Sequence, residues 1–485
     1  MNSLKKNFLF NAAYQVLGLI VPLLVAPYVS RVLGPEGIGT YSYTYSIVYY
    51  FMIVALLGMN NYGNRSVAKV RDDKEKLSRT FWEIYTLQLI VTIIIFIVYI
   101  GFIFFNTEYK VIYIILSLYV ISVAFDINWL YCGLEEFKFT VIRSAIVRVM
   151  SAVAIFLFVK ERGDLWIYTL ILSSITLINQ IVLWPTLFKH VKFYRVRLKD
   201  VLKHLKPTAL LFIPILSFSI YNVMDKIMIG SLSSKIQVGY YENAEKIVNI
   251  PLYAVAALGT ATLPRIANLN SNKNENLDTI KTIIEKSITY VLFFLIPIVF
   301  GMIAVADYIV PLYLGEEFIY SVLPLKLLSI MLIFKACSQI IRNQYLLPME
   351  KDNVYIRATL MGAIINLILN WILIPKFEAV GACIATVITE IVISIYQMIN
   401  MEKDLKIIKN VRGNISTIFI KSAVMFMGVM MLGTIIKNEP IKNILQITSG
   451  CLIYILLNGN FIKDNILPMI KKKKRTNESA KALEK

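Results

Sequence analysis

The 485-residue sequence predicts an all-α integral membrane protein of fourteen transmembrane helices, built as two pseudo-symmetric six-helix bundles followed by two C-terminal helices. Three observations predict it. Hydrophobic residues make up 57% of the chain and mean hydropathy is +0.66, more apolar surface than a soluble chain of this length would expose and stay dissolved. Residues 7–30, 37–64, 84–107, 165–188, 287–306 and 443–462 each lack Asp, Glu, Lys and Arg, whereas a span needs only about 20 apolar residues. Lys and Arg, finally, crowd onto alternate loops.

Taken in order, the spans are 8–30, 40–62, 84–106, 111–132, 141–160, 165–187, 207–230, 243–263, 287–306, 321–346, 356–375, 379–399, 415–436 and 441–462. Runs such as LIVTIIIFIVYIGFIFF in the third span lack the alternation of a β-barrel strand. In lipid the backbone must bond within its own segment, so the spans are helices. The first follows Lys5 and Lys6 and is too long for a signal-peptide apolar region, which marks it as a retained helix. With the N-terminus inside, and with the span-end cations Arg143, Lys160, Arg357 and Lys442 counted with the loops they adjoin, the inner segments hold 35 of the 50 Lys and Arg, the outer loops 8, and the span interiors the remaining 7. That asymmetry places both termini in the cytoplasm. The net charge of +19 is therefore topology rather than nucleic-acid binding, and the tail KKKKR (471–475) faces anionic lipid. The longer loops, 63–83, 188–206 and 264–286, are cytoplasmic, and no soluble domain interrupts the spans.

An internal repeat divides the chain. At a shift of 214 residues, YCGLEEFKFTVIRSAIVRVM (from 131) faces YLLPMEKDNVYIRATLMGAI (from 345), pairing Tyr131 with Tyr345 and Arg143 with Arg357. The turn Gly34…Gly39-Thr-Tyr41 likewise resembles Gly230…Gly239-Tyr-Tyr241. Six helices per half is an even number, so the halves insert in the same orientation about an axis along the membrane normal. The expected divisions are 1–200, 201–402 and 403–485, the last holding helices 13 and 14 and the basic tail.

Chemistry in such a chain rests on its intramembrane charges, each expensive in lipid and each a candidate for function. Arg148, Lys226, Lys335 and Arg342 within spans, with Arg31 at the rim of the first, are candidate ligands for an anionic head group: Arg offers a planar fork to phosphate and Lys a compact charge. Asp126, Asp225 and Glu390 are candidates for a coupling ion. Asp225 and Lys226 also have Glu245 and Lys246 as prospective latch partners, and Lys326 can snorkel. Tyr14, Gln15, Tyr43, Tyr45, Tyr49, Asn60, Asn61, Tyr62, Tyr221, Asn222 and Asn249 are suited to sugar contacts. The four cysteines lie in or beside apolar segments without a CxxC motif and read as buried small hydrophobes. The two histidines share one basic loop without further ligands nearby, so neither a metal nor another cofactor is expected.

FNAAYQVLGLIVPLLVAPYVSRVLGPEGIGTYSY, GNRSVAKVRDD, DLWIYTLI (164–171) and NLILNWILIPKFEAVGACIATVITE (366–390) together resemble the polysaccharide-transporter (Wzx-type) flippases of the multidrug/oligosaccharidyl-lipid/polysaccharide superfamily, over nearly the whole chain. The resemblance implies two six-helix bundles with alternating access. It implies a cargo of undecaprenyl-pyrophosphate-linked oligosaccharide moved to the outer leaflet of a bacterial plasma membrane. Implied associates are membrane lipids and the polymerase and glycosyltransferases of a capsule, exopolysaccharide or cell-wall polysaccharide pathway. Related lipid II flippases use cavity arginines for the pyrophosphate, yet here helix 1 has no arginine before Arg31 and helix 2 none before Arg65. The rival readings are a multidrug/cation antiporter of the same superfamily, which would want an acidic cavity, and a membrane enzyme of polysaccharide assembly. The second is disfavoured because the outer loops are short and hold no histidine.

Overall fold

In a computed structural model of the chain, the backbone is described for residues 2–270, 277–436, 439–466 and 468, and side chains for 20–136, 139–253, 255, 278–436, 441–465 and 468. Among these residues every regular element is helical. The basic tail, the side chains of Tyr14 and Gln15, and part of the span expected at 243–263 lie outside the described residues.

The chain opens with α1 (Asn2–Leu56), which is interrupted rather than straight. Gly34 adopts φ 68° and ψ 178°, a left-handed conformation open to glycine, and Pro35 follows without an amide to donate. The break falls in the turn expected between the first two spans. A second glycine with positive φ, Gly58, starts α2 (Met59–Val70). Asp73 then caps α3 (Lys74–Phe105), accepting from the amides of Glu75 and Lys76 at 3.1 Å. The face of α3 that turns outward is apolar: Ile93, Ile97, Phe104 and Phe105 are 51–87% exposed, as suits a helix bathed in lipid.

Next come α4 (Lys110–Ala124) and α5 (Asn128–Gly133), separated by a break at Phe125–Ile127, then α6 (Phe137–Phe158) and α7 (Leu165–Ile181). Two short helices, α8 (Trp184–Leu187) and α9 (Leu198–Leu202), flank an irregular segment that leads into α10 (Leu205–Leu232) and α11 (Lys235–Asn270). The remainder is α12 (Leu277–Leu314), α13 (Val322–Ile341), α14 (Asp352–Leu405), α15 (Ile408–Ile435), α16 (Glu439–Leu457) and α17 (Gly459–Phe461). Like α1, α14 is broken: Glu378 has φ 53° and ψ −130°, three residues after Pro375. Among the described residues ten helices are long and apolar enough to cross a membrane, or eleven if the bent pair Ile441–Leu457 and Gly459–Asn465 is one span.

The helices form two compact units. One comprises Met1–Ile250, Pro311–Leu327 and Asn353–Ile393; the other comprises Pro251–Val310, Leu328–Asp352 and Ser394–Lys485. In the first, an aromatic core forms around Trp129, whose ring lies 5.4 Å from Phe81 and whose Nε1 donates to Gln88 Oε1 at 3.0 Å. A Cβ on Gly63 would come within 2.6 Å of that indole, so the glycine is what lets α2 approach it. Beside this core, Glu83 is buried among cations: it accepts from Arg79 Nε and Lys203 Nζ at 2.8 Å and from His204 Nε2 at 3.0 Å, while His204 Nδ1 meets Tyr62 Oη at 2.7 Å. In the second unit, Tyr454 Oη donates to the Phe293 carbonyl at 2.7 Å, tying α16 to α12.

Candidate functional site

The first unit holds a polar interior built from α1, α6, α7, α10, α11 and α14. Its centre is a charged network that joins three helices. Lys226 Nζ on α10 lies 2.6 Å from Glu242 Oε2 and 3.0 Å from Glu245 Oε2, both on α11. Lys246 Nζ reaches Glu242 Oε1 at 3.0 Å, one helical turn along α11. Ser42 on α1 donates to Glu242 Oε2 at 2.8 Å. Two lysines face two glutamates, so the network is neutral. Both glutamates and Lys226 are largely buried, whereas Lys246 remains 46% exposed. The charge on Lys226, expected to meet cargo, is thus committed to two carboxylates, and Glu245 is one of its anticipated latch partners.

Against this network lies a cavity of about 270 Å³. Arg148, Lys246, Ser151, Asn243, Tyr41 and Tyr168 supply its polar lining, and Val21, Pro22 and Val25 form an apolar wall. The tyrosines belong to a larger cluster. Tyr41 stacks on Tyr45 at 5.7 Å and meets Tyr168 edge-on at 5.0 Å, and its hydroxyl lies 3.1 Å from that of Tyr119. Spacing of four residues places Tyr41, Tyr45 and Tyr49 along one stripe of α1. Of the sequence-predicted cations, Arg148 alone lines this cavity.

Asp225, beside Lys226 in sequence, points elsewhere. It is 1% exposed and accepts from Tyr241 Oη at 2.7 Å, Thr386 Oγ1 at 2.6 Å and Asn370 Nδ2 at 2.5 Å. Asn370 Nδ2 also reaches Asn366 Oδ1 at 3.1 Å, and Thr386 Oγ1 shares its hydrogen with the Ala382 carbonyl at 2.9 Å. Among the described residues, none of these partners of Asp225 is cationic. Asn370 Oδ1 and Asn366 Nδ2 are buried without a hydrogen-bond partner. The cluster is therefore a carboxylate among amide and hydroxyl oxygens, a donor set suited to a small hard cation. Glu390, one turn beyond Thr386 on α14, is 2% exposed. Among the described residues there is no group of three His, Cys, Asp or Glu arranged to hold a metal.

Asp126 occupies the break between α4 and α5. Its Oδ1 accepts from the amide and Nδ2 of Asn128, both at 3.0 Å. Asn128 in turn accepts from Arg143 at 2.9 Å and donates to Gln180 at 2.9 Å. Asp126 thus holds the first amide of α5 at the helix break and is half-buried there.

Arg31 is exposed and donates to the Leu312 carbonyl in the last turn of α12, where unpaired carbonyls favour a cation. Nearby, Arg162 pairs with Glu317, and a Cβ on Gly34 would lie 3.1 Å from Glu317 Oε2. The two matching glycine turns pack directly on each other. A Cβ on Gly39 would sit 1.6 Å from the Lys235 carbonyl oxygen, and one on Gly239 would sit 2.0 Å from that of Pro35. Only glycines allow this backbone-on-backbone crossing. Lys235 Nζ then caps the contact 4.1 Å above the Tyr43 ring. Lys335 and Arg342 belong to the second unit: Lys335 is half-buried on α13, and Arg342 begins a π-helical turn, Arg342–Leu346.

Residues absent from the expected site but central here are Asn366, Asn370, Tyr241, Thr386 and Arg143. The spacing NLILN offered one signal: two asparagines four apart share a helix face, and both are fully buried.

Comparison with known proteins places the chain in a family. The family model described as polysaccharide biosynthesis protein matches residues 4–270, and a second model, MatE, matches 211–372. A putative O-antigen transporter of Escherichia coli is 25% identical over 400 residues, covering 81% of this chain and 95% of that protein. A probable low-salt glycan biosynthesis flippase of Haloferax volcanii is 32% identical over 169 residues, 35% of each chain. Among solved structures, the lipid II flippase MurJ in an inward closed conformation aligns with TM-score 0.74 at 19% identity, covering 95% of this chain and 99% of that one. An inward-facing multidrug resistance MATE family transporter aligns with TM-score 0.60 at 14% identity, covering 82% and 96%. The chain belongs to the polysaccharide biosynthesis protein family of the MOP superfamily, on the helical fold it shares with these two transporters.

Proposed function

We propose that this protein is a flippase for polyprenyl-pyrophosphate-linked oligosaccharide, carrying the repeat unit from the cytoplasmic to the outer leaflet by alternating access. The observation that carries the reading is the cavity of the first unit, where Arg148 and Lys246 meet a tyrosine cluster inside an otherwise apolar helical chain. Cations suit the phosphates and stacked aromatic faces suit sugar rings. In this reading Arg148 and Lys246 hold cargo, and Lys335 and Arg342 of the second unit are further candidate cations for it. Lys226 positions the glutamates, and Arg31 belongs to the outer closure formed by the two glycine turns. The chain crosses a bacterial plasma membrane fourteen times in a six-plus-six-plus-two plan with both termini inside: the breaks at Gly34 and Glu378 each divide a helix long enough for two spans, which raises eleven to thirteen, and α11 supplies the fourteenth. Asp225 takes the coupling ion, a proton or a small cation such as Na⁺. Asp126 and Glu390 are the remaining candidates for that role. Capsule or exopolysaccharide assembly, with its polymerase and glycosyltransferases, is the pathway that would use such a step.

Transport of organic cations is the alternative, supported by the MatE match over 211–372. It is weakened because Glu242 and Glu245 already carry lysine partners. Reconstitution separates the two. Proteoliposomes with a fluorescent polyprenyl-pyrophosphate oligosaccharide should show label moving out of reach of an impermeant quencher, with no uptake of a cationic dye. Dye uptake without lipid movement would overturn the proposal.

A further inference from the structure

Residues 188–206, FKHVKFYRVRLKDVLKHLK, join α8 to α10 and have no part in the site described above. Residues 191–197 have no regular secondary structure, and α9 is little more than one turn. The segment is nevertheless pinned. Lys192 donates its amide to Ser78 Oγ at 3.0 Å and accepts at its carbonyl from Trp82 Nε1 at 2.9 Å, so it runs as a strap across the first turns of α3. Val191 and Val201 anchor it, at 1% and 0% exposure.

The opposite side of the strap has a different composition. Phe188, Phe193, Leu198 and Leu202 are 63%, 75%, 62% and 51% exposed. Between them Lys189, Lys192, Arg195, Arg197 and Lys199 are all exposed. The single acidic residue of the segment, Asp200, lies 3.5 Å from Arg79. Four large apolar side chains more than half exposed do not belong in water, and five cations do not belong in hydrocarbon. The boundary of an anionic leaflet accepts both, apolar tips below the phosphates and basic heads among them.

We propose that the 188–202 strap lies on the membrane surface, its phenylalanines and leucines in the acyl boundary and its basic side chains on the phosphates of anionic phospholipids. The positive-inside asymmetry makes that leaflet the cytoplasmic one. Because the strap is bonded to α3 and continues into α10, its docking ties the ends of both helices to the bilayer plane.

Hydrogen exchange of the 191–199 amides tests this in full-length protein, in nanodiscs of phosphatidylcholine alone or mixed with phosphatidylglycerol. Each basic side chain near an anionic surface is worth about fivefold in partitioning, so exchange should slow by at least about fivefold in the anionic discs. The K189Q/K192Q/R195Q/R197Q variant should lose the difference between the lipids. Should that variant lose its native melting transition, high salt on the parent protein gives the same reading, since it screens surface charge. The pair Phe193→Ser and Leu198→Ser should speed exchange in both lipids. Equal exchange of the parent in the two lipids overturns the proposal. So does retention of the difference in the fourfold variant or at high salt. Equal protection by inorganic pyrophosphate in the neutral discs also overturns it, because the strap would then be a site for soluble anions.

Discussion

Replacing Gly39 with alanine puts a methyl carbon 1.6 Å from the carbonyl oxygen of Lys235 and 2.7 Å from its carbonyl carbon. Both are backbone atoms, so no rotamer change relieves the clash. Ordinary contact begins near 3.4 Å, so α1 and α11 must part by up to about 1.8 Å at a point where interiors are close-packed. Overpacking of this kind costs roughly 1–3 kcal/mol. If that cost falls only on the closed arrangement of the glycine turns, the closed population drops by about 5- to 150-fold relative to the open one. Val238, wholly buried beside Gly239, is the reporter. With the natural cysteines removed and Val238→Cys introduced, an impermeant maleimide added from outside should label the Gly39→Ala protein at least about fivefold faster than its Gly39 parent. Gly239→Ala, whose Cβ would meet Pro35, should do the same. Labelling within about twofold of the parent, at equal protein level, would refute the assignment of these turns to the outer closure.

Other expectations follow from the same geometry. Lys226→Met leaves Glu245 without its lysine in a largely buried site, while Glu242 keeps Lys246; this should cost about 3–5 kcal/mol and show as a lowered melting temperature in detergent, and adding Glu245→Gln should recover part of it. Arg148→Ala and Lys246→Ala should each lower lipid flipping about tenfold or more through loss of a charged hydrogen bond, without loss of protein from the membrane, as measured in proteoliposomes. Asp225→Asn keeps an oxygen for the Tyr241 and Thr386 hydroxyls, so the protein should fold, yet flipping should lose its response to an imposed ion gradient. Trp129→Ala empties a buried aromatic site of the first unit and should cost roughly 3–5 kcal/mol, read by thermal unfolding.

The turn at Gly34 was legible in the sequence because Gly-Pro between two charge-free runs has few other meanings, and the break appears there. The break at Glu378 falls in the gap expected between the eleventh and twelfth spans. What the sequence hid is that a non-glycine residue takes the positive φ, a conformation that depends on surrounding contacts. Asp225 and Lys226 were visible as costly charges, and Glu245 as a partner for the lysine. Their separation into two networks was not visible, because it depends on how α10 is rotated against α11 and α14. The role of Asn366 and Asn370 was hidden for the same reason: amides four apart mark a face, but only the packed helices show which carboxylate that face meets. Arg143 stood out only as the repeat partner of Arg357, and its bond to Asn128 arises from a helix break that composition does not announce.

The neutrality of the Lys226–Glu242–Glu245–Lys246 network has an electrical consequence. A membrane potential does work only on net charge displaced along the field, about 2.3 kcal/mol per elementary charge per 100 mV. Two cations and two anions moving together contribute none, however far their helices travel. Under the function proposed above, voltage dependence of transport would then enter through what is unbalanced: the anionic cargo assigned to Arg148, or the ion assigned to Asp225.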